Sequence, residues 1–209
     1  MAEDGTAMTD RAAFIAGMPK AELHMHIEGA LEPAQKFEMA ARNGAGLDGS
    51  AADVEASYDF DDLSTFLEAR YDGDKVLVTE LDFYQLAIGY FERVAAENLV
   101  YAEIFFDPQA HTSRGVAFST VIEGIRRAQV EATDRLGIDS ELIMCFLRDH
   151  SVESAAEALH QAEPYRQWIV GVGLDSDEHR NPPVKFAEIY RAAADQGYRL
   201  TAHCDVDQE

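Results

Sequence analysis

Two hydrophobic textures alternate along the chain. Short, nearly continuous apolar runs lie at 21–27, 99–106 (LVYAEIFF), 141–147 (ELIMCFL), 168–174 (WIVGVGL) and 199–204 (RLTAHC). Unbroken hydrophobicity over so few residues marks strands buried on both faces, as in parallel sheets covered by helices. Between the runs, apolar positions recur at helical spacing. Pro33 opens AQKFEMAARNG and Asn43-Gly44 stops it; Leu81, Tyr84, Ile88 and Phe91 share one face of the next stretch. Ser119-Thr120 opens a helix that closes on Gly137, Ser151 begins another, and Gly197 is the expected left-handed end of the last. The segment NGAGLDGSAAD (43–53) reads as a flexible loop.

Strand and helix in alternation predict α/β architecture with a parallel sheet. No linker divides the 209 residues and no repeat recurs, so residues 1–209 read as one domain. Polar or ionisable residues gather where each apolar run ends: His24 and His26, Asp107 and Gln109, Arg148 to His150, Asp175, and His203 with Asp205. In a TIM-type (β/α)8 barrel the chemistry sits at the carboxyl ends of the strands. Five units are fewer than eight, so the expectation is an incomplete barrel, the N-terminal portion of a longer fold. An open strand edge at 199–205 then favours association of copies into a homo-oligomer, and the isolated 209-residue chain is expected to have little activity.

The charge balance narrows the partners. With a formal net charge of −22, the chain has no basic stripe to displace counterions from nucleic acid, and anionic membrane surfaces are equally disfavoured. No apolar run approaches the roughly 20 residues of a membrane span, and MAEDGTAMTDRAAF lacks the pattern of a signal peptide. Cys145 and Cys204 sit in apolar runs without regular spacing, which suits core thiols in a reducing cytoplasm better than a disulfide.

The first run carries the sharpest chemical signal, AELHMHIEGALEP at 21–33. Residues two apart on a strand project to the same side, so His24 and His26 point together. Two neutral imidazoles supply half of a four-coordinate zinc site. The motif resembles the first-strand signature of the adenosine deaminase family of zinc amidohydrolases. The resemblance continues in YAEIFFDPQAHTSRG (101–115), LIMCFLRDHS (142–151) and VGVGLDSDE (170–178), blocks closest to that family's adenine deaminase branch.

The resemblance implies a TIM barrel that uses Zn2+ to hydrolyse a 6-aminopurine, base or nucleoside and possibly N6-substituted, to its 6-oxo product with release of ammonia. It implies His24, His26 and His203 as metal ligands. Glu28, Asp107 and Ser176 fall on the substrate side, Ser176 where the family often has a glycine near the purine ring. In this chemistry an activated water attacks C6 while an acid protonates the ring nitrogen. The His/Cys/Cys signature of cytidine-type deaminases is absent.

One motif departs from the family. Its fifth strand usually reads His-Ala-Gly-Glu, the glutamate being the proton donor; here HCDVDQE puts Val206 at that position. Asp205, Asp207 or Glu209 would then have to take over that role, and Asp205 and Glu209 are taken as the catalytic carboxyls. The alternative reading is a non-catalytic barrel that binds purine or metal without turnover. The family's later histidine and aspartate would lie beyond Glu209. His111 and the Arg148–His150 segment are expected on the surface.

Overall fold

The computed structural model describes residues 4–47, 49–56 and 63–204. Strands β1 (Lys20–His26), β2 (Leu99–Phe106), β3 (Asp139–Leu147), β4 (Ile169–Asp175) and β5 (Arg199–Leu200) form one sheet in chain order, every neighbour parallel. The described helices are α1 (Asp4–Gly17), α2 (Pro33–Asn43), α3 (Ala51–Ala56), α4 (Leu63–Asp74), α5 (Glu80–Ala95), α6 (Pro108–Thr112), α7 (Phe118–Leu136), α8 (Val152–Ala162) and α9 (Ala187–Asp195). A strand order that follows the chain without reversal is that of a barrel wall, not of a doubly wound sheet, which reverses at a switch point.

The sheet is strongly curled. Laid flat at about 4.8 Å per strand, the first and fifth strands would stand roughly 19 Å apart. Instead the ring of His24 on β1 and the ring of His203 just past β5 have centroids 4.6 Å apart. Side chains from both edges reach a common axis, so these are five β/α units of a barrel.

Alternation along the strands separates two layers. Ala102, Ile104 and Phe106 of β2, Leu142, Met144 and Phe146 of β3, and Val172 and Leu174 of β4 face outward into the main core. There they meet Phe83, Leu86 and Phe91 of α5 and Val121, Ile122 and Ile125 of α7. The two helices pack closely at Gly124, where an added Cβ would lie 2.5 Å from the Glu80 carbonyl oxygen. Phe105, Ile143 and Cys145 form a separate inner cluster. Gly173 is tied to that cluster, because its Cβ would meet Cys145 Sγ at 2.6 Å. The run WIVGVGL therefore needs its glycine to let neighbouring strands fill a narrow interior. Further down the inner face the layer turns polar, and Tyr101, Glu103, Glu141, Arg199 and Thr201 line a cavity of about 460 Å³.

Several local expectations hold. Gly44 and Gly137 close their helices with φ of 67° and 70°, and Ser151 Oγ accepts from the Ser154 amide at 3.2 Å. Others are corrected. The 43–53 loop gives way to helix α3, entered through Ser50, whose amide and hydroxyl both donate to Asp53 Oδ2 at 2.7 Å. On α5 the buried face runs through Phe83, Leu86, Ala87 and Tyr90, leaving Leu81 41% exposed. Ile88 and Phe91 of the expected face are buried and Tyr84 packs against the core, so of the expected positions only Leu81, in the first turn behind the Thr79–Asp82 capping box, lies outside it. The fifth strand is assigned over only two residues. Its backbone nevertheless stays in register, since the Thr201 amide donates to the Val172 carbonyl at 3.0 Å and the His203 amide to the Leu174 carbonyl at 2.8 Å. Cys145 is buried as expected, whereas Cys204 is exposed and not a core thiol. Among the described residues no helix is long and apolar enough to cross a membrane.

Candidate active site

Three imidazoles converge at the carboxyl ends of the strands. The Nε2 atoms of His24 and His26 lie 3.2 Å apart, and each lies 3.0 Å from Nε2 of His203. β1 delivers two of them because residues two apart share a side; the register of the fifth strand delivers the third. Phe105 from β2 backs the pair, its ring stacked on His26 at 5.0 Å and tilted against His24 at 4.9 Å.

The donor set can be tested against a cation. Nitrogens bound to a tetrahedral zinc at about 2.0–2.1 Å stand roughly 3.3–3.4 Å apart, close to the separations found here. Each imidazole is biased toward its neutral, ligating form. Burial lowers the His24 pKa, with the charge of His26 adding to it. Burial also lowers His26, against the opposing pull of Asp107. Burial together with the other two rings brings His203 to about 4. Behind His26, Nδ1 faces Asp175 Oδ2 at 3.3 Å. The two are within ion-pair reach, but among the described residues neither His26 Nδ1 nor the Asp175 oxygens make a hydrogen bond, so the contact is electrostatic. The three side chains thus suit a zinc-type ion.

A buried charge network adjoins the cage. After β1 a single 3-10 turn, Ile27–Ala30, buries Glu28 to 2% exposure. Glu28 Oε1 accepts from the Asp107 amide at 2.9 Å and lies 3.3 Å from His111 Nε2, while Oε2 accepts from Arg70 at 3.3 Å. Arg70 reaches in from α4 and also pairs with Asp107 Oδ2 and, at 3.7 Å, with Asp74. One guanidinium therefore serves three buried carboxyl groups.

Their titration diverges accordingly. For Asp107, burial is the largest influence and acts upward, but Arg70, His26 and Asp175 together outweigh it, and the pKa lies below the ordinary carboxylate range. For Asp74 burial wins, and its pKa rises to about 6. Burial, and then the charge of Asp107, push Asp175 well above the usual range. Next to Arg70, the Tyr71 hydroxyl donates to Ser176 Oγ at 2.9 Å, so α4 is tied to the end of β4 as well.

The structure brings Glu28, Asp107, Ser176, His24, His26 and His203 together at one end of the sheet. Asp107 does not cap the turn that follows it; its carboxylate is engaged by Arg70. Ser176 has φ of 72°, a left-handed conformation that favours glycine, which is the residue the family often carries there. Asp205 and Glu209 lie outside the described residues.

Three participants were not legible as such: Arg70, His111 and Arg148. His111, expected in solvent, is fully buried between Glu28 and the Phe83 ring. Arg148, expected in a surface loop, is 1% exposed and pairs with Glu178 at 2.6 Å. The available signal was an arginine directly after an apolar run, a position at the carboxyl end of a strand.

Fold and site together define a class: an α/β barrel with a three-imidazole cage at the carboxyl ends of its strands. The model of the adenosine deaminase family matches residues 19–205, and the chain belongs to that family. It is 50% identical over 204 residues to an adenine deaminase of Caulobacter vibrioides, covering 97% of this chain and 59% of that protein. The crystal structure of an adenine deaminase from Arthrobacter aurescens superposes with a TM-score of 0.85 at 45% identity, over 88% of this chain and 57% of the other. An amidohydrolase from Burkholderia ambifaria with bound Zn gives 0.82 at 29% identity, over 92% and 53%. The chain thus spans a little under three-fifths of the length of the curated adenine deaminase and of the solved one.

Proposed function

We propose that this chain supplies the zinc-binding half of a deaminase that hydrolyses a 6-aminopurine to the 6-oxopurine with release of ammonia. The convergence of three Nε2 atoms within 3.0–3.2 Å of one another carries the reading. The adenine deaminases among its relatives favour adenine over adenosine or an N6-substituted purine as substrate.

His24, His26 and His203 would hold the ion. A zinc ion so held supplies Lewis acidity, enough to make water a nucleophile at neutral pH. The chain's own groups do the rest. Asp175 faces the far nitrogen of His26, and Phe105, stacked on the ring, excludes water from one side of the cage. Glu28, Asp107 and Ser176 form the substrate side, with Arg70 balancing the two carboxylates so that they can stand buried beside a neutral purine. Asp205 and Glu209 are the carboxyls assigned to moving the proton toward the ring nitrogen as ammonia leaves.

Metal analysis of the 209-residue chain should find one zinc. His24→Ala, His26→Ala and His203→Ala should each abolish stoichiometric binding. The full-length protein should release ammonia from adenine, with the ultraviolet change of a 6-amino to a 6-oxo purine. Retained zinc in all three variants, or purine binding without ammonia release by the zinc-loaded full-length protein, would overturn the reading.

A further inference from the structure

Arg148 stands at the carboxyl end of β3, outside the imidazole cage and outside the Arg70 network. It is among the largest fully buried side chains of the protein. A buried guanidinium is expensive unless its donors are used, and three hydrogen bonds engage Arg148. Nε donates to the Asn181 carbonyl at 2.9 Å, and one terminal nitrogen donates both to Glu178 at 2.6 Å and to the His203 carbonyl at 3.2 Å. The residue is anchored at its own backbone too. Its amide donates to the Asp175 carbonyl at 3.0 Å.

The third imidazole needs such support. His24 and His26 lie within a paired strand, whereas His203 lies beyond the last assigned residue of β5, on the open side of the sheet. Its amide is held by the Leu174 carbonyl on β4, whereas its own carbonyl belongs to the following peptide unit, toward Cys204. The His203 carbonyl is where Arg148 attaches. A swing of that peptide would carry the imidazole away from the other two.

We propose that Arg148 is a positioning residue for the metal centre. It clamps the His203 carbonyl, is held in place by Glu178 and the loop after β4, and so sets the third ligand against the pair from β1. The inference rests on the zinc reading above, and zinc affinity tests it without any need for turnover.

The experiment measures zinc dissociation constants of the 209-residue chain by competition with a chromogenic chelator, with folded fractions matched by circular dichroism. Cobalt(II) absorption of each variant reports ligand geometry. Arg148→Met should weaken zinc binding about 10- to 100-fold, the usual effect of removing a group that orients a ligand. Arg148→Lys, with one compact donor group in place of the fork, should recover part of that loss. Glu178→Gln should weaken binding less than Arg148→Met while altering the cobalt spectrum. Lys185→Met removes a tie of the same loop that does not reach His203 (Lys185 donates to the Arg148 and His150 carbonyls), and should leave the affinity within about threefold.

A wild-type chain that binds zinc, with Arg148→Met and Arg148→Lys binding equally well, overturns this inference alone. So does equal weakening by Lys185→Met, which would mark a general loss of loop structure. A wild-type chain that takes no zinc overturns this inference and the zinc reading together. Should Arg148→Met fail to fold, Arg148→Lys and Glu178→Gln decide the matter by the same criteria.

Discussion

Replacing Arg70 with methionine keeps most of the side chain's volume and removes its charge. The guanidinium contacts Glu28 at 3.3 Å and Asp74 at 3.7 Å and pairs with Asp107, all three carboxyl groups being buried. Removing one partner of a buried ion pair costs roughly 3–5 kcal/mol, because a charge is left without compensation. Domains have roughly 5–15 kcal/mol of stability in total, so the variant should fold only marginally at neutral pH.

The pH dependence separates this cause from lost packing. In the native protein the Asp107 pKa is lowered: burial raises it, but Arg70, joined by His26 and Asp175, outweighs burial. It therefore contributes stability above its unfolded value, lost as pH falls through the lower folded one. Without Arg70, the strongest downward influence on both Asp107 and Asp74 is gone while burial, the largest influence on each, remains; Asp74 already lies at about 6 in the native protein. Both folded pKa values then lie above the unfolded ones, so the variant is most stable in acid and loses stability as pH rises through those values. The deficit relative to wild type should be largest near pH 8 and smaller by about pH 5. Urea unfolding followed by circular dichroism at both pH values measures it. Arg70→Lys, which keeps the charge and loses the fork, should recover part of the deficit. A cost below about 1 kcal/mol, or one equal at both pH values, would refute the claim that charge compensation holds α4 against the strand ends.

Two further outcomes follow from geometry and titration. His203 has a folded pKa lowered to about 4, by burial first and then by the two neighbouring rings. Its contribution is present above an unfolded value of about 6.5 and is lost as pH falls toward 4, on the order of 1–2 kcal/mol after allowing for its partial exposure. The metal-free chain should lose stability over that window more steeply than His203→Gln, and parallel pH profiles of the urea midpoint would contradict this. Gly124→Ala would place a methyl group 2.5 Å from the Glu80 carbonyl and 2.7 Å from Phe83 Cβ. It should push α5 from α7 at a cost of about 1–3 kcal/mol, seen as a lower thermal midpoint, and an unchanged midpoint would mean that the helices can separate freely.

What could be read in the chain follows the range over which each signal acts. The alternation of apolar runs and amphipathic stretches is local, and it marks the five strands in their order. His24 and His26 are legible because a period of two is enough to place them on one side. His203 becomes a partner only through the order of the runs and the family's motif, since 177 residues separate it from His26. Local patterning placed Tyr84, Ile88 and Phe91 of α5 against the core and missed that Leu81, in the first turn, stays exposed while Leu86 and Ala87 are buried beside them.

The charge network lies beyond any local pattern. Arg70 is 42 residues from Glu28 and 37 from Asp107, and an arginine in a helix otherwise reads as a solvated surface group. In a chain of net charge −22, two buried guanidinium groups are each shared among several acceptors: Arg70 among carboxylates, Arg148 between Glu178 and the main-chain oxygens of Asn181 and His203. A shared cation cannot be given up by any one partner without stranding the others. This coupling binds the helix over the strand ends, the loop after β4 and the third imidazole into one arrangement. The same coupling explains why an inward-pointing arginine, read alone, looked like a surface residue: its burial is stable only once several strand ends have come together around it.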